Sequence, residues 1–265
     1  MNEMEHIMCQ TFTHSLGTLT RFGVSIVVYL GFSISGWAKC DTLPLSQAYR
    51  DHQSLTFSQR EPLKNLVTSP IVIGLHGLGH HKEGFSKLTT ALPESWRLIF
   101  VDAPFKYHRG YAWYRFKCPE RDEDLTFSTE ALIRLITQIK KRYPHAPLAI
   151  FGFSQGGVMT LSLLERVHQS LSAAASLSGY WGYTRSPRPT APIHTPLLIT
   201  HGRQDRVVGL SRGENAVKLM TQIGIQVTPF YFSGGHRVTR DVLRSLIEHL
   251  QQAFSTHRAH LNPKK

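Results

Sequence analysis

Cysteine is scarce in this chain of 265 residues: Cys9, Cys40 and Cys118 are all it has. None lies in a CxxC or Cys/His spacing, which argues against a zinc site, and none lies in a nucleophile motif. Cys40 and Cys118 could pair, but two thiols do not establish a disulfide. Acids are also few. Eighteen Asp and Glu face thirty Lys and Arg, a formal charge of +12. That excess is scattered. Its densest groups are Lys140-Lys141-Arg142, at a predicted helix end where cations complement the helix dipole, and Lys264-Lys265 at the terminus. No basic-aromatic stripe or binding motif accompanies the charge, so no nucleic-acid partner is expected; peripheral contact with an anionic membrane surface stays open. Internal repeats and disordered or collagen-like stretches are absent too. The length allows one large core or at most two small ones.

Long apolar runs are nearly absent. The exception is residues 22–38, FGVSIVVYLGFSISGWA, uncharged between Arg21 and Lys39. Gly36 and Ala38 suit the small-residue positions of a signal-peptidase site, which would make Lys39 the first mature residue and the protein periplasmic or secreted. The run also approaches the lower limit for an uncleaved membrane anchor. The acids Glu3 and Glu5 ahead of it count against a signal, which prefers positive charge there, and a cytoplasmic extension is a third reading. Residues 1–40 are read as such a leader or anchor.

From about residue 65, short apolar runs alternate with helical patterns. Ile71–Leu75, Leu98–Val101, Leu148–Phe151, Ala173–Leu177, Leu197–Thr200 and Val227–Phe232 read as strands buried on both faces, with Pro229 placing the last near an edge. Between them, stripes such as Leu132/Leu135/Ile136/Ile139 and Val158/Leu161/Leu164/Val167 recur at three-to-four spacing. This alternation predicts an α/β architecture, a mainly parallel central sheet with helices on both faces. Residues 104–127 and 180–195 read as long irregular loops beside a site.

The chemistry centres on Gly152-Phe153-Ser154-Gln155-Gly156, followed by Gly157, between a predicted strand and a predicted helix. A sharp strand-to-helix turn there would hold the serine hydroxyl above the strand ends, at a helix N-terminus. The hydroxyl needs a base, and the base an orienting acid. Asp205 follows the fifth predicted strand and His236 the sixth, so all three fall at the carboxyl edge of the sheet. Asp102 is a rival acid that precedes the serine and adjoins a turn. His249, His257 and His260 fall away from that edge. Leu75-His76-Gly77-Leu78-Gly79 follows the first predicted strand, and its glycines could aim a main-chain N–H at a carbonyl oxygen. The oxyanion hole is assigned to the amides of Leu78 and Gln155, with His76 bonding the loop backbone. His80-His81 suggests a metal, but adjacent histidines would point to opposite sides with no carboxylate among them, so no metal is assigned.

LHGLG, GFSQGG, HGRQDRVV and GGH, in this order, resemble the phospholipase/carboxylesterase family of α/β-hydrolases over roughly residues 68–250. The hydrolase domain is placed at 41–255, followed by a basic tail at 256–265. The resemblance implies a Ser154–His236–Asp205 triad, no cofactor, and a small ester or thioester substrate cleaved through an acyl-enzyme. This chain departs from the family's pattern at His80, often Asp there, and at Gly209, where the family has Pro. It departs again at Trp113-Tyr114-Arg115, where the family has Trp-Phe-Asp. Trp113 and Tyr114 are therefore read as lining the substrate pocket. A dienelactone-hydrolase-like or polymer-ester hydrolase on the same fold is an alternative, as is a non-catalytic binding module.

Overall fold

The structure, a computed structural model, describes residues 43–64, 66–116 and 118–261. These residues fall in one unit of the chain, Cys40–Lys265. The leader read at 1–40 lies outside them.

All six predicted strands are present. With β1 as Phe57–Arg60, they are β2 Ile71–Leu75, β3 Arg97–Val101, β6 Leu148–Phe153, β7 Ala173–Leu177, β8 Leu197–Gly202 and β9 Val227–Phe232. The sheet runs β1-β3-β2-β6-β7-β8-β9, parallel throughout except for β1, which pairs antiparallel with β3. From β2 the chain first steps to β3 on one side. It later returns to lay β6 on the other side, in register Leu75 opposite Gly152. The loops after β2 and β6 therefore diverge, and a crevice opens between them at the strands' carboxyl ends.

The helices are α1 Gln47–His52, α2 Lys82–Phe85, α3 Arg121–Arg142, α4 Gln155–Val167, α5 Leu210–Gln222 and α6 Arg240–Leu261. Strand side chains alternate between two cores. Ile71, Ile73 and Leu75 point to the face packed by α3, α4 and α5. Val72, Leu98 and Phe100 point to the face packed by Phe85 of α2 and by Val242, Leu246 and Leu250 of α6. Helix α3 opens on Asp122, Glu123 and Asp124 and closes on Lys140, Lys141 and Arg142, so both ends oppose the macrodipole.

Three readings change. Strand β1 was missed because its polar residues alternate half-buried and exposed on the sheet edge, with no apolar run. Residues 104–127 are not irregular. They hold a hairpin of β4 Phe105–Tyr107 and β5 Gly110–Ala112, then the first turns of α3. Three-residue strands are too short to show a period. Residues 256–261, read as tail, continue helix α6. Pro229 lies in β9 opposite Ile199, on the other edge of the sheet, where a missing N–H costs no ladder bond.

Candidate active site

Strand β6 ends at Phe153 and α4 begins at Gln155, so Ser154 alone makes the turn, at φ 55° and ψ −116°. A side chain at positive φ is strained and persists only where its surroundings demand it. Here they do. The Ser154 N–H donates to the Leu177 carbonyl of the next strand at 2.8 Å. The flanking glycines serve closeness of approach: a Cβ at Gly152 would lie 2.1 Å from the Gly156 oxygen, and one at Gly156 would lie 2.2 Å from the Leu75 oxygen.

The loops after β8 and β9 are stitched together. Arg203 N–H donates to Phe232 O and Gln204 N–H to Gly234 O, each at 2.9 Å. This brings Asp205 and His236 to Ser154. His236 Nε2 is 2.9 Å from Ser154 Oγ, and His236 Nδ1 is 2.7 Å from Asp205 Oδ2. The other Asp205 oxygen, Oδ1, accepts from the amides of Val207 at 2.9 Å and Val208 at 2.8 Å. Burial pushes the Asp205 carboxyl up. Hydrogen bonds from His236 and from the amides of Val208 and Val207 outweigh it and hold the group below the ordinary aspartate value.

His201 went unassigned in the sequence, although it opens the motif that ends in Asp205. It is fully buried. Its Nε2 donates to the Val208 carbonyl at 2.8 Å and lies 3.6 Å from Asp205 Oδ2, so it braces the loop that holds the carboxylate. Only folding places it there, which is why motif spacing did not reveal the role.

The amides assigned to an oxyanion hole flank the serine. Among the described residues, neither the Leu78 nor the Gln155 main-chain N–H donates to a protein acceptor. Leu78 and Gln155 both line the cavity that contains Ser154 and His236. His76 is buried beneath the loop, its Nδ1 donating to Gly77 O at 2.7 Å and its Nε2 accepting from the Ala103 N–H at 3.2 Å. Burial drives this imidazole down to about 4. The unfolded chain then binds a proton near pH 6.5 that the folded one refuses until about pH 4. Stability is fully present above pH 6.5 and falls as pH drops through this window, by at most about 3 kcal/mol from this residue. Urea unfolding at stepped pH should show the loss, and a His76→Gln variant should show a shallower slope between those limits.

Trp113 does not line the pocket. It is wholly buried, donates from Nε1 to His76 O at 2.9 Å, and packs its ring 5.5 Å from that of His76. The hairpin carries it behind the Gly77–Leu78 loop, so it supports that loop from beneath. Gln155 completes this clamp: its Oε1 accepts from Trp113 N–H at 3.0 Å and its Nε2 donates to Tyr114 O at 2.9 Å. Tyr114 does line the cavity, which has a volume of about 520 Å³ and a mainly apolar wall including Leu88, Phe116, Phe153, Val207 and Val238.

The other candidates lie elsewhere. Asp102 accepts from Thr56 Oγ1, from the Lys82 N–H and from Lys82 Nζ at 2.6 Å, which ties the end of β3 to the start of α2. His249 donates to Ala174 O, at the amino end of β7 and away from the site. The rings of His80 and His81 do not point apart. They stack at 5.5 Å, because the chain turns here into α2, with His81 as its N-cap. Among the described residues no group of three or more His, Cys, Asp or Glu is placed to hold a metal. Arg115 stands where the resemblance led us to expect an acid, and it finds one in α3: Nε and Nη2 meet Asp124 at 2.7 and 3.0 Å.

The chain is similar to proteins of known family and fold. Acyl-protein thioesterase 1 of Candida albicans is 25% identical over 220 residues, 72% of this chain and 95% of that protein. Carboxylesterase SOBER1 of Arabidopsis thaliana is 31% identical over 99 residues, covering 36% of this chain and 43% of that one. The crystal structure of a Bacillus cereus carboxylesterase, 18% identical, covers 78% of this chain and 98% of its own with a TM-score of 0.67, a likeness of fold. The family model described as Phospholipase/Carboxylesterase matches residues 63–254, the span that holds the whole sheet except β1 together with all three loops meeting at Ser154, and the chain belongs to that family of α/β-hydrolases.

Proposed function

We propose that this protein hydrolyses carboxylic esters or thioesters through an acyl-enzyme on Ser154. The observation that carries this reading is the single imidazole of His236 between Ser154 Oγ at 2.9 Å and Asp205 Oδ2 at 2.7 Å. His236 Nε2 takes the hydroxyl proton as Oγ bonds to the substrate carbonyl carbon. Asp205, already ionised and held by two amides, keeps the proton on Nδ1 and stabilises the imidazolium. The oxyanion of the tetrahedral intermediate lies against the Leu78 and Gln155 amides, which are rigid and cost nothing to reorient. His236 then protonates the leaving alcohol or thiol as the carbonyl re-forms. Water, deprotonated by the same imidazole, attacks the acyl-enzyme, and Ser154 regains its proton as the acid departs.

A fluorophosphonate probe tests the nucleophile, since Oγ displaces fluoride from phosphorus to leave a stable adduct. Labelling at a peptide that contains Ser154 is expected, together with turnover of p-nitrophenyl acyl esters or acyl thioesters. A protein that neither labels nor turns over any member of that panel would be a binding module instead.

We also propose export. The apolar run at 22–38 supports it, and so does Cys118, which is disulfide-bonded, a state that persists in oxidising compartments. The other two cysteines, Cys9 and Cys40, lie outside the described residues. Cell fractionation with N-terminal sequencing of the mature protein tests this; full-length protein in the cytosol would refute it.

A further inference from the structure

Resting on the hydrolase reading above, we propose that the hydroxyl pair of Tyr114 and Tyr180 is a subsite for a substrate oxygen, so that the enzyme prefers esters carrying a keto or ether oxygen beyond the scissile group. The two phenol oxygens lie 3.1 Å apart, and both tyrosines line the cavity that holds Ser154. Both side chains are buried, at 1% and 7% exposure. Each phenol can donate once and also accept. Their mutual bond uses one of the two protons. Among the described residues neither hydroxyl has another hydrogen-bond partner. The pair therefore keeps one O–H to give, in a cavity whose wall is otherwise mainly apolar. A buried donor without an acceptor is costly, and an acceptor oxygen on a bound molecule removes that cost.

The surroundings keep the pair in place and keep it a donor. Tyr114 is anchored by its own carbonyl, which accepts from Gln155 Nε2 beside the nucleophile. Burial and the neighbouring Tyr180 hydroxyl push the Tyr114 phenol well above its ordinary range, so it stays neutral. The Arg212 guanidinium lies 4.8 Å from the centre of the Tyr180 ring, and its charge favours an electron-rich oxygen nearby. A plain hydrocarbon in the same place would exclude water from the pair without satisfying it, so such a substrate is discriminated against.

The experiment measures kcat/KM of the whole protein on matched esters in two arms. In the first, p-nitrophenyl esters of a straight-chain acid are compared with those of its keto and ether isosteres. In the second, the acyl group is plain and a simple alcohol is compared with a glycol ether of equal length. The expected result is a preference of about tenfold for the oxygenated member in one arm, which identifies the acyl or the alcohol side as the one facing the pair. Tyr114→Phe and Tyr180→Phe should each bring that ratio towards one. A ratio near one in both arms with the unmodified protein overturns the proposal, as does a preference that survives both substitutions. Fluorophosphonate labelling is run alongside. Labelled protein without the preference defeats only the subsite, whereas unlabelled wild-type protein defeats the hydrolase reading itself.

Discussion

Ser154→Ala is expected to abolish fluorophosphonate labelling and to lower kcat on any ester substrate by on the order of 10⁶. The size follows from how the site is built. Among the described residues no other hydroxyl lies within hydrogen-bonding distance of His236, so nothing replaces Oγ. Loss of fold is not the cause. Alanine keeps the Cβ at the same strained φ, and the main-chain bond from residue 154 to Leu177 O is untouched. The Leu78 and Gln155 amides also stay in place, so a residual rate from oxyanion stabilisation alone should remain, about 10³–10⁴ above water. The check is kcat and labelling set beside a urea unfolding free energy within about 1 kcal/mol of wild type. Persistent labelling at another residue would remove Ser154 as nucleophile.

Asp205→Asn is expected to cost about 10⁴ in kcat while leaving the protein folded. The carboxylate is divided between two duties: Oδ1 accepts from two amides and Oδ2 accepts from His236 Nδ1. Asparagine has one acceptor and one donor end. Its oxygen must face the Val207 and Val208 amides, since an NH₂ there would meet two donors. The NH₂ is then turned to His236 Nδ1 and makes that nitrogen an acceptor. The proton moves to Nε2, where the imidazole can no longer take one from Ser154. The tautomer error, rather than a lost charge alone, sets the magnitude. Steady-state kinetics on one ester suffices, and a variant within tenfold of wild type would show that Asp205 does not orient the base.

How much of this was legible depended on the range of the signal. The buried strands announced themselves because a strand covered by helices on both faces must be apolar along its length, and Ile71–Leu75 and Ala173–Leu177 were bounded to the residue. Val227–Phe232 was bounded as well, but it is an edge strand, mostly half-buried or exposed, and not buried on both faces as expected. Ser154, Asp205 and His236 were legible for a related reason. In a parallel sheet every strand's carboxyl end emerges on one edge, so residues just past successive strands must converge, whatever their separation along the chain. The β4–β5 hairpin was invisible because six paired residues carry no period. With the hairpin hidden, Trp113 was drawn into the pocket, when the turn in fact carries it behind the Gly77–Leu78 loop.

The sequence by itself therefore determined six of the sheet's seven strands, the order in which their loops deliver the three polar side chains, and the glycines that let Ser154 turn. Those are consequences of local pattern and of strand direction. Only the tertiary structure decided which side chains do the supporting: Gln155 clamping Trp113 and Tyr114, His201 bracing Val208, Asp124 holding Arg115, and two tyrosines sixty-six positions apart sharing one hydrogen bond. Each of these is a contact between a side chain and a partner brought near by packing. Its geometry is set by a few tenths of an ångström in the fold, and no spacing along the chain encodes it.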